Sequence, residues 1–120
     1  MATGFLTDVL ERDGQVRTDR LSDRLRITRL QLSAAAGLSR DAVSKSARLG
    51  SPATQARLRD VAELLNRLQP WAGSVEAAFA WHRSQPLPAF GDLTAEDLVK
   101  QGRAEAVKRH LSRIAAGGYA

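Results

Sequence analysis

The sequence predicts an all-α protein: an N-terminal helical bundle, residues 1–69, followed by a small C-terminal helical unit, residues 70–120, around one shared core. Three observations predict this. Apolar residues recur at helical spacing along most of the 120 residues, and no clear run alternates β-branched or aromatic residues with polar ones. Glycine, proline, serine and threonine stand where helices start and stop. Aromatics are scarce, with three Phe, two Trp and one Tyr, so the core must come from Leu, Val and Ala, which suits small, closely packed helices.

Phe5, Leu6, Val9 and Leu10 form a short amphipathic segment ending near Gly14. The next helix covers Asp19 to Ile27, with Leu21 and Leu25 on one face. Thr28 then offers an N-cap, and Gln31 completes a capping box. That helix runs to about Ala36 and stops at Gly37. Ser39 caps a helix over roughly Arg40 to Ala47. Ser51 and Pro52 start the longest helix, whose face is Leu58, Val61, Ala62, Leu65 and Leu68 and which Pro70 closes. Ser74 to Arg83 follows, with Val75, Ala78 and Phe79 inward. Pro86, Pro88 and Gly91 make Ser84 to Asp92 a loop, pinned by Phe90. Thr94 caps a short helix with Leu98 and Val99 that ends at Gly102. The last helix presents Ala104, Val107, Leu111 and Ile114 and stops at Gly117.

Composition excludes several classes. There is no cysteine, so disulfides and zinc–thiolate sites are ruled out and a reducing cytoplasm is the expected home. No apolar run approaches a membrane span, and no signal peptide is visible. The net charge is +5, with the excess between Arg12 and Arg48: Arg12, Arg17, Arg20, Arg24, Arg26, Arg29, Arg40, Lys45 and Arg48 face only Asp13, Asp19, Asp23 and Asp41. Such a surplus serves either as a solvated surface or as a polyanion-binding face.

Arg29 to Ser46 has the residue types that two steeply crossing helices need. Ser33 is small at the crossing, Gly37 supplies a left-handed turn, and Leu32, Ala36, Leu38 and Val43 lock the pair. From Asp19 to Leu68 the chain resembles the helix-turn-helix of Xre/Cro-type DNA-binding domains, through the turn Ala36-Gly37-Leu38-Ser39 and its apolar flanks; Ser46 departs from a larger apolar residue usual there. The resemblance implies a recognition helix contacting operator DNA through Ser39, Arg40, Asp41, Ser44, Lys45 and Arg48. A helix N-terminus attracts phosphate, and Arg and Lys reach phosphates or guanine edges. Asp41 repels phosphate, so sequence-specific binding calls for a dimer.

In the C-terminal third, Ala77-Ala78-Phe79-Ala80-Trp81 leads into Leu87-Pro88-Ala89-Phe90-Gly91. Then come Leu98-Val99, Gly102, Val107, Leu111, Ile114 and the small-residue end Gly117-Gly118-Tyr119-Ala120. This order is similar to the toxin-binding domain of the Xre/MbcA/ParS-type antitoxins, and the two-part layout from Asp19 to Ala120 agrees with that family. Asp92 stands where a second glycine is common, and Ala95 to Val99 replaces a proline-led helix start. The resemblance implies an antitoxin of a type II toxin–antitoxin system. It would neutralise a RES-domain, NAD-degrading toxin by direct binding through its C-terminal region, and act as transcriptional repressor of the shared operon. The expected toxin contacts are Lys100, Arg103, Lys108 and Arg113, read as exposed cations, and the glycine-hinged tail Gly117, Gly118, Tyr119 and Ala120. Trp81, Phe90, Val107 and Leu111 read as the platform beneath them.

An enzyme is not expected. His82 and His110, the only histidines, lie on different helices without a paired carboxylate and read as solvated surface residues. Glu96 and Asp97 read as first-turn acids favoured by the helix dipole. No catalytic residue, metal site or cofactor is assigned. The alternative is a free-standing dimeric Xre-type repressor whose C-terminal unit only dimerises. A homodimer is expected in both cases. The Phe5–Leu10 segment serves either as its contact or as a helix packed on its own domain.

Overall fold

A computed structural model describes residues 4–40, 42 and 50–117, and over these the chain is all-α. Seven helices are described: α1 (Gly4–Val9), α2 (Thr18–Leu25), α3 (Arg29–Ala35), α4 (Pro52–Ala72), α5 (Val75–Ser84), α6 (Ala95–Lys100) and α7 (Ala104–Gly117), with a 3-10 turn at Pro88–Phe90. Two isolated bridges, Leu10 with Val16 and Leu87 with Leu93, close the loops after α1 and α5.

The long helix α4 is the axis, with α1, α5, α6 and α7 packed on it; α2 touches α1, α3 and α5. Its stripe of Leu58, Val61, Ala62, Leu64, Leu65 and Leu68 is buried. One apolar cluster holds Phe5 and Val9 of α1, Leu21 and Leu25 of α2, Leu32 of α3, and Leu98, Val107 and Leu111 of the last two helices. The N-terminal and C-terminal units therefore share a core, and the 69/70 division falls within α4. Phe5 and Val9 are spent on this core, so α1 is a helix packed on its own domain.

Local chemistry sets most helix ends where the pattern predicts. Thr28 and Gln31 form the capping box of α3, Ser51 and Pro52 open α4, and Thr94 caps α6 with Asp97 as its box partner. α1 ends earlier than expected. After Val9 the chain turns back through Gly14, and the Val16 N–H donates to Gln55 Oε1 on α4 at 2.7 Å. Nor does Pro70 end α4. A proline in the last turn forfeits one hydrogen bond and leaves the rest of the turn standing. The stop is Gly73, in a left-handed conformation (φ 98°), whose N–H donates to the Gln69 carbonyl at 2.8 Å. In the loop before α6, Asp92 adopts φ 66°, taking the left-handed place that a second glycine would fill; a short polar side chain tolerates it. Leu87 is buried there, more deeply than the half-buried Phe90.

Candidate functional site

The helix–turn segment has the geometry its residue types require. The Gln31 N–H donates to Thr28 Oγ1 at 3.0 Å, and the Thr28 N–H donates to Gln31 Oε1 at 2.8 Å. Leu32, Ser33, Ala35 and Ala36 are buried and Leu38 is half-buried against the core. Gly37 turns the chain at φ 71°, and the Leu38 N–H closes the turn on the Ser33 carbonyl at 2.8 Å. Of the expected DNA contacts, Ser39 and Arg40 are exposed after this turn. Ala42 is buried, its N–H donating to the Ser39 carbonyl at 3.1 Å. Asp41, Ser44, Lys45 and Arg48, like Val43 and Ser46, lie outside the described residues. Part of the basic surplus is neutralised locally: Asp8 accepts from Arg20 Nη1 at 2.6 Å and Arg24 Nη1 at 3.1 Å. The Arg24 hydrogen bond leads the effects that hold the Asp8 carboxyl below its ordinary pKa.

The turn is locked to the C-terminal unit. Arg57 of α4 places its Nη1 at 3.0 Å from the Ala36 carbonyl, 2.9 Å from that of Val99 and 3.3 Å from that of Lys100. The C-terminal ends of α3 and α6 each leave carbonyls without helical partners, and one guanidinium meets both. Their approach is close enough that a Cβ on Gly37 would lie 2.8 Å from Lys100 Cα. Gly37 is thus required twice, by its left-handed backbone and by the chain beside it.

The four expected toxin-contact cations do not gather in one patch. Lys100 is exposed and pairs with Glu96 Oε2 at 3.4 Å. Arg103 is exposed and lies over the Phe90 ring, 5.6 Å from its centroid. Arg113 is exposed nine residues beyond the start of α7, about 14 Å along its axis. Lys108 is not an exposed cation: its side chain is 12% exposed, and its Nζ bonds Glu63 at 2.7 Å and Asp60 and Glu105 at 3.2 Å each. Burial alone would lower its pKa, but these carboxylates outweigh that and hold it above the ordinary lysine value. Lys108 joins α7 to α4 instead of facing a partner. α7 is described as far as Gly117; Gly118, Tyr119 and Ala120 lie outside the described residues.

Three residues gain importance that the sequence did not give them. Glu96 is buried, not merely a first-turn acid: its side chain is 9% exposed and Arg83 Nε lies 2.9 Å from its Oε1, linking α5 to α6. His82 is fully buried on α5, stacked on Phe79 at 6.3 Å, with no hydrogen-bond partner for either ring nitrogen. Burial, seconded by the Arg83 charge, pushes its pKa down to about 4. The surface reading of His82 is therefore corrected, and the spacing Val75, Ala78, Phe79, His82 was the signal. The third is Trp71, 55% exposed in the last turn of α4. With Trp81, Ala72 and Ile114 it walls a groove of about 270 Å³ floored by Leu68 and Leu111. A helix read as ending at Pro70 had concealed it.

Among the described residues no group of His, Asp or Glu side chains is arranged to hold a metal ion, and no helix is long and apolar enough to cross a membrane. Comparison with protein-family models, curated proteins and solved structures finds no match.

Proposed function

We propose that the chain is an antitoxin of the Xre/MbcA/ParS type, binding a RES-domain, NAD-degrading toxin through its C-terminal unit and operator DNA through its helix-turn-helix. One observation carries the reading: a glycine-turned helix end in the basic N-terminal half, seated by Arg57 against the C-terminal helices. α5 to α7 complete the shared core with one face each. In this arrangement those helices present surface of their own, and the order of elements supports the antitoxin layout.

The test is co-expression with the product of the adjacent reading frame. The expected result is rescue of growth and of cellular NAD, with a stable complex on co-purification. Failure to rescue removes the antitoxin reading and leaves the free-standing repressor. Operator binding is read separately, by mobility shift on the upstream DNA. Arg40→Ala is expected to weaken it, with a shallower salt dependence if Arg40 contacts phosphate.

A further inference from the structure

We propose that the Trp71–Trp81–Ile114 groove is where the toxin docks, and that it receives an apolar segment flanked by carboxylates; this rests on the antitoxin reading above. Trp71 and Leu30 are the large apolar side chains left exposed among the described residues, and Trp71 stands over a floor of buried Leu68 and Leu111. An exposed tryptophan at the lip of a formed cleft has the anatomy of an interface anchor.

Charge chooses the occupant. The residues lining the groove and the adjoining cleft that shares Trp71 and Leu111 with it include Arg67 and no carboxylate. Arg67 also borders a cleft lined by Glu63 and Glu105, but both of these carboxylates pair with Lys108. Lys108 is neutralised by its three carboxylates, and Arg109 and Arg113 lie on the face of α7 opposite Leu111, so the cation presented at the groove is Arg67. Arg67 is held across the two helices: its Nη1 donates to the Lys108 carbonyl at 3.2 Å and to Ser112 Oγ at 3.0 Å. A cation fixed beforehand loses little side-chain entropy when a carboxylate arrives. A second copy of the chain fits poorly, because a two-fold contact sets the patch against itself and brings Arg67 toward its equivalent with no carboxylate to meet it. The groove also lies toward the C-terminal part of α7, through Leu111 and Ile114. The docking face is thus the tryptophan end of the molecule, away from Lys100 and Arg103.

The test titrates the purified adjacent-gene product against wild-type chain, Trp71→Ser, Ala115→Glu and Ala115→Lys. Ala115 is exposed on the cleft beside Trp71, so both Ala115 variants add bulk and differ in charge. Trp71→Ser is expected to weaken binding at least about tenfold. Ala115→Glu should weaken it by about tenfold, and Ala115→Lys by less than about threefold. Wild-type binding with Trp71→Ser unchanged overturns the groove and leaves the antitoxin reading standing. Equal losses for the two Ala115 variants overturn the acidic partner. If Trp71→Ser turns a dimeric chain monomeric without loss of toxin affinity, the groove is a self-interface and the proposal fails. A wild-type chain that does not bind takes down both readings.

Discussion

The two ends of α4 treat the C-terminal unit differently. At Arg57 the contact is polar and closed: one guanidinium among three carbonyls, with Gly37 against the Lys100 backbone. At Trp71, fourteen residues and about 21 Å farther along the helix, it is apolar and open. The difference follows from what each end must satisfy. The Arg57 end brings together two helix C-termini, whose carbonyls must find donors or pay desolvation. At the Trp71 end Gly73 caps α4, so side chains are left to face outward. One end fixes the orientation of the turn; the other offers surface without disturbing it. Substitutions should then cost stability at the first end and partner binding at the second.

The largest effect is expected at Gly37. Gly37→Ala places a Cβ at a left-handed position and into the Lys100 backbone, so strain and clash add to about 4 kcal/mol. Denaturant unfolding checks this; a loss under 1 kcal/mol would mean that the turn and α6 are not in contact. Arg57→Ala comes next, at about 3 kcal/mol, because it leaves carbonyls of α3 and α6 without their charged donor. Hydrogen exchange should also rise at the ends of both helices together. A rise confined to α3 would show that the two halves are not joined there.

These contacts mark the limit of what the sequence made legible. Capping residues act on neighbours three positions away, so Thr28 with Gln31, and Ser51 with Pro52, could be read directly. Buried stripes such as Leu58–Val61–Ala62–Leu65–Leu68 were legible for the same reason. Arg57 was not, because its acceptors lie 21, 42 and 43 residues away. Lys108 looked like any surface lysine until folding brought Asp60 and Glu63 against it. His82 was hidden by its residue type, since a histidine on an apolar stripe reads as polar although its spacing says buried. Trp71 follows a proline that reads as a stop, although the helix continues to Ala72. At the candidate DNA face only Ser39 and Arg40 among the expected residues are described.

His82 supplies the next effect, through acid. Its folded pKa of about 4 lies below the ordinary 6.5, so between these values the unfolded chain binds the proton and the folded chain resists it. Stability from this group is complete above pH 6.5, falls as the pH drops, and has nothing more to lose below about 4. At pH 5 the loss is about 2 kcal/mol. His82→Leu should flatten this part of the pH profile, leaving the acid sensitivity of Asp8, hydrogen-bonded by Arg24, and Asp97, hydrogen-bonded by Thr94, whose pKa values are lowered and whose loss lies further down in pH. Trp81 is the adjacent residue, so its fluorescence in a Trp71→Phe background reports whether the tryptophan end loosens first. A profile unchanged by His82→Leu would mean that the imidazole reaches water.

The smallest effect is expected at Trp71, and it tests the open end most directly. Trp71→Ser removes a side chain already more than half exposed, at a helix position where the two residues have similar propensity. The cost should be about 1 kcal/mol, from the part of the ring that rests on Leu68 and Leu111. Leu111→Ala, in the floor of the same groove, removes a buried side chain and should cost about 3 kcal/mol. Denaturant midpoints of the two variants at equal slope give the ratio. If Trp71→Ser costs as much as Leu111→Ala, the tryptophan belongs to the core and the groove is closed in solution. If the threefold gap holds, the indole contributes little to the fold, and a change in partner binding on Trp71→Ser is then separable from any loss of stability.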